Sequence, residues 1–352
     1  MAVRALTVIP GSAGSGQLSE VAEPDEREGS VLVSTIAIGI CGTDREILSG
    51  AYGQAPPGED RLVLGHESLG RVVEAPGDAD LAPGDLVVGI VRRPDPAPCI
   101  NCAAGEWDMC RNGRYTEHGI KGLHGFARDR YRAHPDALVK LDPALGKPGV
   151  LLEPTSVVAK AWEHIERIGR RAVWEPRRVL ITGAGPVGLL AALLAVQRGL
   201  EVHVLDRITE GRKPDLVEAL GAHYHSTPLA DLKLEVDIVL ECTGAATVIA
   251  EILDGTARNG IVCLAGVSSP GRRIAVDIGG LNRELVLDND VVFGSVNANR
   301  RHYEAGAEAL AAADASWLAR LLTREVPIED YEQAMQGSDE QDTDSIKTVV
   351  TF

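Results

Sequence analysis

One stretch constrains this chain more than any other: the apolar run Val179–Thr182, the turn Gly183-x-Gly185-x-x-Gly188, and the apolar helix-forming residues Leu189 to Val196. It prescribes a strand, a tight turn and a helix, in that order. The first two glycines let backbone approach a pyrophosphate with no Cβ in the way, and the third lets helix pack against strand. The helix N-terminus adds unpaired N–H groups and the positive end of a dipole. Gly183, Gly185, Pro186, Val187 and Gly188 are therefore expected to cradle the phosphates of a dinucleotide. A second apolar run, Val202–Leu205, ends in Asp206, where a carboxylate can accept hydrogen bonds from the adenosine ribose. A 2′-phosphate would meet like charge at Asp206, so NAD is favoured over NADP, although the adjacent Arg207 partly offsets that repulsion. A tight turn with no ligand is the alternative for the glycines alone. The sequence of strand, helix, second strand and acid argues against it.

Further along, Val236–Glu241 runs into Cys242-Thr243-Gly244, and Gly260–Leu264 runs into Ala265-Gly266-Val267. Both read as buried strands whose ends reach the carboxyl edge of a parallel sheet, where open sheets of this kind bind ligands. Thr243, Gly244, Ala265, Gly266 and Val267 are thus cofactor-contact candidates, while Cys242 and Cys263, set within apolar strands, read as core.

At 352 residues the chain is long for one core and comfortable for two domains. It shows no apolar run as long as a membrane span and no charged-then-apolar leader, so a cytoplasmic protein with no membrane partner is expected. A formal net charge of −16 argues against nucleic acid as a partner. Six cysteines in a chain of this length are no disulfide framework, and their clustering points to metal.

The first 40 residues alternate short β-rich segments, Val3–Ile9 and Val31–Ile40, with a polar connection. Then come Cys41-Gly-Thr43-Asp44-Arg-Glu46 and, after a helix and a loop, Leu64-Gly-His66-Glu67-Ser-Leu-Gly70. Together they bring a thiol, an imidazole and carboxylates, a donor set suited to Zn²⁺. Asp44 is open to two readings, a helix cap or a partner that fixes the His66 tautomer.

These motifs, with Gly84-Asp85-Leu-Val87, a cysteine-rich lobe and the late glycine-rich unit, resemble the zinc-dependent medium-chain alcohol dehydrogenase superfamily nearly end to end. Within it, Val91-Arg92-Arg93-Pro94, Glu117-His-Gly-Ile120 before Gly125-Phe126, Leu152-Glu153-Pro154 and Gly294-Ser295-Val296-Asn297 resemble the glucose 1-dehydrogenase family. The implied fold is α/β: a GroES-like β-rich catalytic domain, residues 1–159 and 297–352, plus a Rossmann doubly wound parallel sheet, residues 160–296.

The resemblance implies that Cys41 and His66 ligate a catalytic zinc, with Glu67 as ligand or exchanging ligand. Glu153 stands where many relatives carry a cysteine. It implies substrate contacts from Thr43, Glu117, Glu153 and Asn297, and cofactor contacts from Ser295, Val296 and Asn297. Thr43 is placed to pass on a proton, but the relay histidine of many relatives is Glu46 here, so the outlet must differ. The lobe supplies Cys99, Cys102 and Cys110, the last three of a four-cysteine pattern. Pro96 occupies the first position and cannot ligate, which leaves Asp95 as the candidate fourth ligand of a structural zinc, or else a lobe of three reduced thiols. Val91 and Val157 stand where some relatives have polar sugar contacts, which leaves the preferred aldose open.

The expected activity is oxidation of an aldose at C1 to its lactone, with hydride passing to NAD(P) and zinc acting as Lewis acid. The alternatives are a polyol or threonine-type amino-alcohol dehydrogenase, or a non-catalytic dinucleotide sensor. Family resemblance also implies a homodimer or homotetramer.

Overall fold

The computed structural model describes residues 2–253, 256–268, 271, 273–336 and 343–352. By contact it divides into two units, 1–156 with 297–352, and 157–296. The division falls inside the helix Leu152–Gly169, three residues before the boundary expected from sequence.

The first unit is built on the strand Val31–Ile40, whose β-branched and apolar residues are buried on nearly every position. That strand is central because both its edges are taken. Glu67–Glu74 pairs antiparallel along one edge, and Arg130–Ala133 and Lys347–Thr351 pair antiparallel along the other parts of its length. Among the described residues the sheet runs Leu138–Lys140, Leu86–Gly89, Glu67–Glu74, Val31–Ile40, Lys347–Thr351, Leu322–Pro327, with Arg130–Ala133 as a further partner of Val31–Ile40. A three-stranded sheet of Gln17–Ala22, Ala2–Val8 and Leu62–Val63 stands beside it. The core between them contains Leu6, Val33, Ile38, Leu64, Phe126 and Tyr131. Phe126 is held between His118 and Tyr131, each ring centroid 4.7 Å away. This is the β-rich, GroES-like architecture.

In the second unit six strands lie parallel in the spatial order His223–His225, Glu201–Leu205, Arg178–Thr182, Val236–Glu241, Thr256–Leu264, Val291–Gly294. Numbered along the chain, that is 3-2-1-4-5-6, the doubly wound Rossmann order. The helix Pro186–Gln197 that follows the first strand is buried at every position from Gly188 to Ala195. A helix apolar all round belongs under a sheet.

Several local readings need correction. The segment Tyr115–His124, polar and glycine-punctuated, reads as loop but contains the short strands Thr116–His118 and Gly122–Leu123, because Glu117 pairs with Arg92 across a three-stranded sheet. The late helix runs Arg300–Ala311, with Asn299 at its N-cap. Cys263 is core, but Cys242 lies just past its strand and is only partly buried. Among the described residues no helix is long and apolar enough to cross a membrane.

Candidate active site

The antiparallel pairing that sets Gly39 opposite Glu67 delivers the end of one strand and the start of the next to the same place. Cys41 follows the first and His66 precedes the second, and their Sγ and Nε2 atoms lie 3.0 Å apart. On the other side Thr348 pairs with Ile40, which brings Lys347 to the same end of the sheet. Gly39 has to lack a side chain, since a Cβ there would run into the Glu67 carboxylate and the Lys347 stem.

Cys41 also caps the helix Gly42–Leu48: the Thr43 N–H donates to its Sγ at 3.3 Å. Asp44 fills both roles weighed for it. Its Oδ2 accepts from the Cys41 N–H at 3.0 Å, completing the cap, and its Oδ1 lies 3.3 Å from His66 Nδ1. A carboxylate beside Nδ1 leaves Nε2, which faces Cys41, as the nitrogen that could bind a metal. Burial pushes the His66 imidazole down, but the Cys41 sulfur and the Asp44 carboxylate hold it well above its usual value.

The ligand atoms of Cys41, Asp44 and His66 all lie within 4.8 Å of one another. Glu67 and Glu153 stand outside that tightest group. Glu67 is buried and ion-paired with the buried Lys347. Burial, and next the neighbouring Glu67 carboxylate, lift the Glu153 carboxyl to about 7 against the opposing pull of His66 and Lys347. One sulfur, one imidazole, the buried Glu67 carboxylate and the half-buried Glu153 carboxylate make a place short of positive charge, and the donor set suits zinc. Thr43 is half-buried in the first turn of the helix, whereas Glu46 lies on its exposed side.

A second cluster in the same unit surrounds Glu117. Three bonds converge on its Oε1: Arg92 Nε at 3.0 Å, Arg92 Nη2 at 2.9 Å and Asn297 Nδ2 at 2.8 Å. Arg92 is itself buried, donates to the Asp108 carbonyl, and stacks over the Tyr115 ring at 3.7 Å. Asn297 adopts a left-handed φ of 63°, with its side-chain oxygen accepting from the Ala298 N–H. Glu117 and Asn297, 180 residues apart in sequence, are thus direct neighbours.

In the lobe, Cys99, Cys102 and Cys110 gather their sulfurs within 4.8 Å. Backbone N–H groups of Cys102 and Arg111 hold the Cys99 thiol down to about 6. Asp95, the expected fourth ligand, lies outside that tightest group. Its carboxylate accepts from the Ala97 N–H at 2.9 Å, Asn112 Nδ2 at 2.8 Å and Arg114 Nε at 3.2 Å.

In the second unit the glycine turn has the form its residues demand. Gly183 sits at φ 90°, and at Gly188 a Cβ would collide with the Gly183 carbonyl. At Gly185 a Cβ would meet nothing within 4 Å, and no side chain caps the helix that starts at Pro186. An open space in front of an uncapped helix N-terminus fits a pyrophosphate. Asp206 binds the turn directly: Oδ2 accepts from the Ala184 N–H at 2.7 Å and lies 3.4 Å from Lys213 Nζ, while Oδ1 accepts from the Ile208 N–H at 3.1 Å. Arg207 is exposed. At the same sheet edge Val267 and Val296 are exposed apolar side chains, and Ser295 is buried, its N–H bonded to Leu264 O.

Three residues of this machinery escape a reading of the sequence. Lys347 opens a strand of otherwise ordinary β-residues, and nothing nearby marks it as the partner of Glu67. Arg92 lies inside a family motif but has no chemistry until Glu117 is placed against it. Glu241 could have been found, as a lone acid ending the apolar run Val236–Leu240. It is fully buried and accepts from the N–H groups of Thr243 at 2.6 Å and Gly244 at 3.0 Å, pinning that turn.

Comparison with known proteins gives two family matches: an alcohol dehydrogenase GroES-like domain over residues 27–143 and a glucose dehydrogenase C-terminus over residues 146–352. The chain is 39% identical over 359 residues to a glucose 1-dehydrogenase of Methanocella arvoryzae, with 99% of each chain covered. It is 40% identical to glucose 1-dehydrogenase 2 of Vulcanisaeta moutnovskia, again with 99% of each covered. Among solved structures, the Haloferax mediterranei glucose dehydrogenase in complex with NADP, Zn and gluconolactone matches with a TM-score of 0.89 and 33% identity, covering 99% of both chains.

Proposed function

We propose, from the premise that this chain belongs to the glucose dehydrogenase family of zinc-dependent medium-chain dehydrogenases, that it oxidises glucose or a closely related aldose at C1. The cyclic sugar loses the C1 hydride to the nicotinamide and its hydroxyl proton to solvent, leaving the lactone and reduced cofactor. The observation that carries this reading is the gathering of half-buried Cys41 and Glu153 with buried His66 and Glu67 in one unit that also sets Glu117 against Asn297.

Cys41, His66 and Glu153 would hold the zinc, with Glu67 alongside. Bound there, zinc supplies Lewis acidity to the hydroxyl being oxidised. The protein's own residues do the rest. Asp44 fixes the His66 ring and its tautomer. Lys347 offsets the charge of Glu67, so that two carboxylates can share a buried site. Arg92 and Asn297 saturate Glu117 Oε1 and leave Oε2 as the oxygen for sugar hydroxyls. Buried polar groups of this kind favour a polyhydroxylated substrate, because an aliphatic alcohol would leave them unpaired. Thr43, on the helix that Cys41 caps, takes the reacting hydroxyl's proton toward solvent, with exposed Glu46 beyond it on the same helix.

A dinucleotide would be held by the Gly183–Gly188 turn, with Thr243, Gly244, Ala265, Gly266, Val267, Ser295 and Val296 of the same unit as its further contacts. NAD is preferred, because Asp206 is held at the ribose end by two backbone N–H groups and opposes a 2′-phosphate. Asp206→Asn should raise the NADP:NAD ratio of kcat/KM, roughly tenfold for about 1.4 kcal/mol. The enzyme works in the cytoplasm as a homodimer or homotetramer, a state that light scattering of the purified chain would measure. Kinetics over a panel of aldoses, polyols and threonine with both cofactors tests the whole reading. Glucose or a C1-oxidised aldose should have the highest kcat/KM, and a preference for threonine or an acyclic polyol would overturn it. Zinc counting belongs beside it: a second equivalent, lost in Cys102→Ser, would identify a filled lobe.

A further inference from the structure

We propose that Glu201, His203 and His223 form a binding site for a divalent first-row transition ion, on the edge of the parallel sheet and separate from every residue assigned above. Glu201 and His203 lie two apart on one strand and so face the same side, and His223 on the edge strand is the direct register partner of His203. One ligand atom from each of the three lies within 4.8 Å of the others. Glu201 Oε1 and His203 Nε2 are 3.1 Å apart. At metal–ligand distances near 2.0–2.2 Å that edge subtends roughly 95–100° at an ion, an ordinary coordination angle. The His223 and His203 rings stand nearly parallel, 25° apart, with centroids at 4.9 Å.

The surroundings favour a metal ligand over a protonated histidine. His203 Nδ1 lies 2.9 Å from His225 Nε2. With Nδ1–H donating to His225, the Nε2 lone pair of His203 points toward Glu201 and is available to an ion, the usual arrangement in which a metal-bound histidine gives its other N–H to an acceptor. Burial pushes both the His203 and His225 imidazoles down. Arg178 Nε holds the other Glu201 oxygen at 3.0 Å, which orients the carboxylate to bind through Oε1 alone. Two imidazoles and one carboxylate select zinc, nickel or copper over calcium or magnesium. An ion here would tie the strand Glu201–Leu205 to the edge strand His223–His225, just ahead of Asp206.

The test is calorimetric titration of the zinc-replete enzyme with Ni²⁺. One saturable equivalent per chain is expected, accompanied by a rise in Tm. His223→Ala and Glu201→Gln, both at exposed positions, should each weaken uptake at least tenfold and abolish the Tm rise while leaving sugar turnover unchanged. His225→Phe, which removes only the acceptor for Nδ1, should weaken it about 10–100-fold. The absence of saturable uptake, or uptake equal in wild type and His223→Ala, would overturn the proposal.

Discussion

At the scale of single residues, the account depends on how buried charges are answered. Lys347 and Glu67 are both almost wholly buried and face each other. Replacing Lys347 with Met strands the Glu67 carboxylate, which should cost roughly 3–5 kcal/mol, whereas Lys347→Arg keeps the pair and should cost far less. Denaturant unfolding of the metal-free variants measures both, and a Met variant within about 1 kcal/mol of wild type would contradict the pairing. Glu153 gives a pH signature. Its carboxyl, lifted from an ordinary 4.5 to about 7, is held in the neutral form below that pH when no metal is present. The stability this contributes is whole below about pH 4.5 and is lost as pH rises through about 7. Metal-free wild type should therefore lose Tm between about pH 5 and 8 relative to Glu153→Gln, which has nothing to ionise there. Zinc affinity should climb over the same range, because the metal competes with that proton. Parallel Tm curves for wild type and Glu153→Gln would dismiss the assignment.

At the scale of elements, the glycine turn separates packing from ligand binding. Gly188→Ala puts a Cβ against the Gly183 carbonyl and must push helix from strand, so it should destabilise the protein by about 1–3 kcal/mol and weaken dinucleotide binding together. Gly185→Ala meets no protein atom, so its stability should stay within about 0.5 kcal/mol while dinucleotide affinity falls. If both variants lost stability and affinity alike, the space at Gly185 would not be the phosphate's. This contrast also marks what was legible from residue order. The strand–turn–helix and its following acid are local, and periodicity and glycine placement are enough to read them. The pairing of Ile40 with Thr348, which brings Lys347 to Cys41, joins segments some 300 residues apart. No local pattern encodes that register. The surroundings of Asp95 were hidden for a similar reason: its spacing from Cys99 suits metal, but Asn112 and Arg114, which donate to its carboxylate, approach from beyond the last cysteine.

For the molecule as a whole, the two units divide the chemistry. The proposed zinc donors Cys41, His66, Glu67 and Glu153 all belong to residues 1–156 with 297–352, and the glycine turn and Asp206 belong to residues 157–296. Stripping the metal should therefore abolish turnover and leave dinucleotide binding near its original affinity, as fluorescence titration with NADH would show. Cys41→Ser should behave as the stripped enzyme does. The most direct test of the central claim is the oxidation of glucose followed before zinc removal, after it, and after zinc is restored. The account predicts one reduced dinucleotide per lactone, loss of that turnover with the metal, and its return on adding one zinc per chain. Undiminished turnover by metal-free enzyme would contradict it.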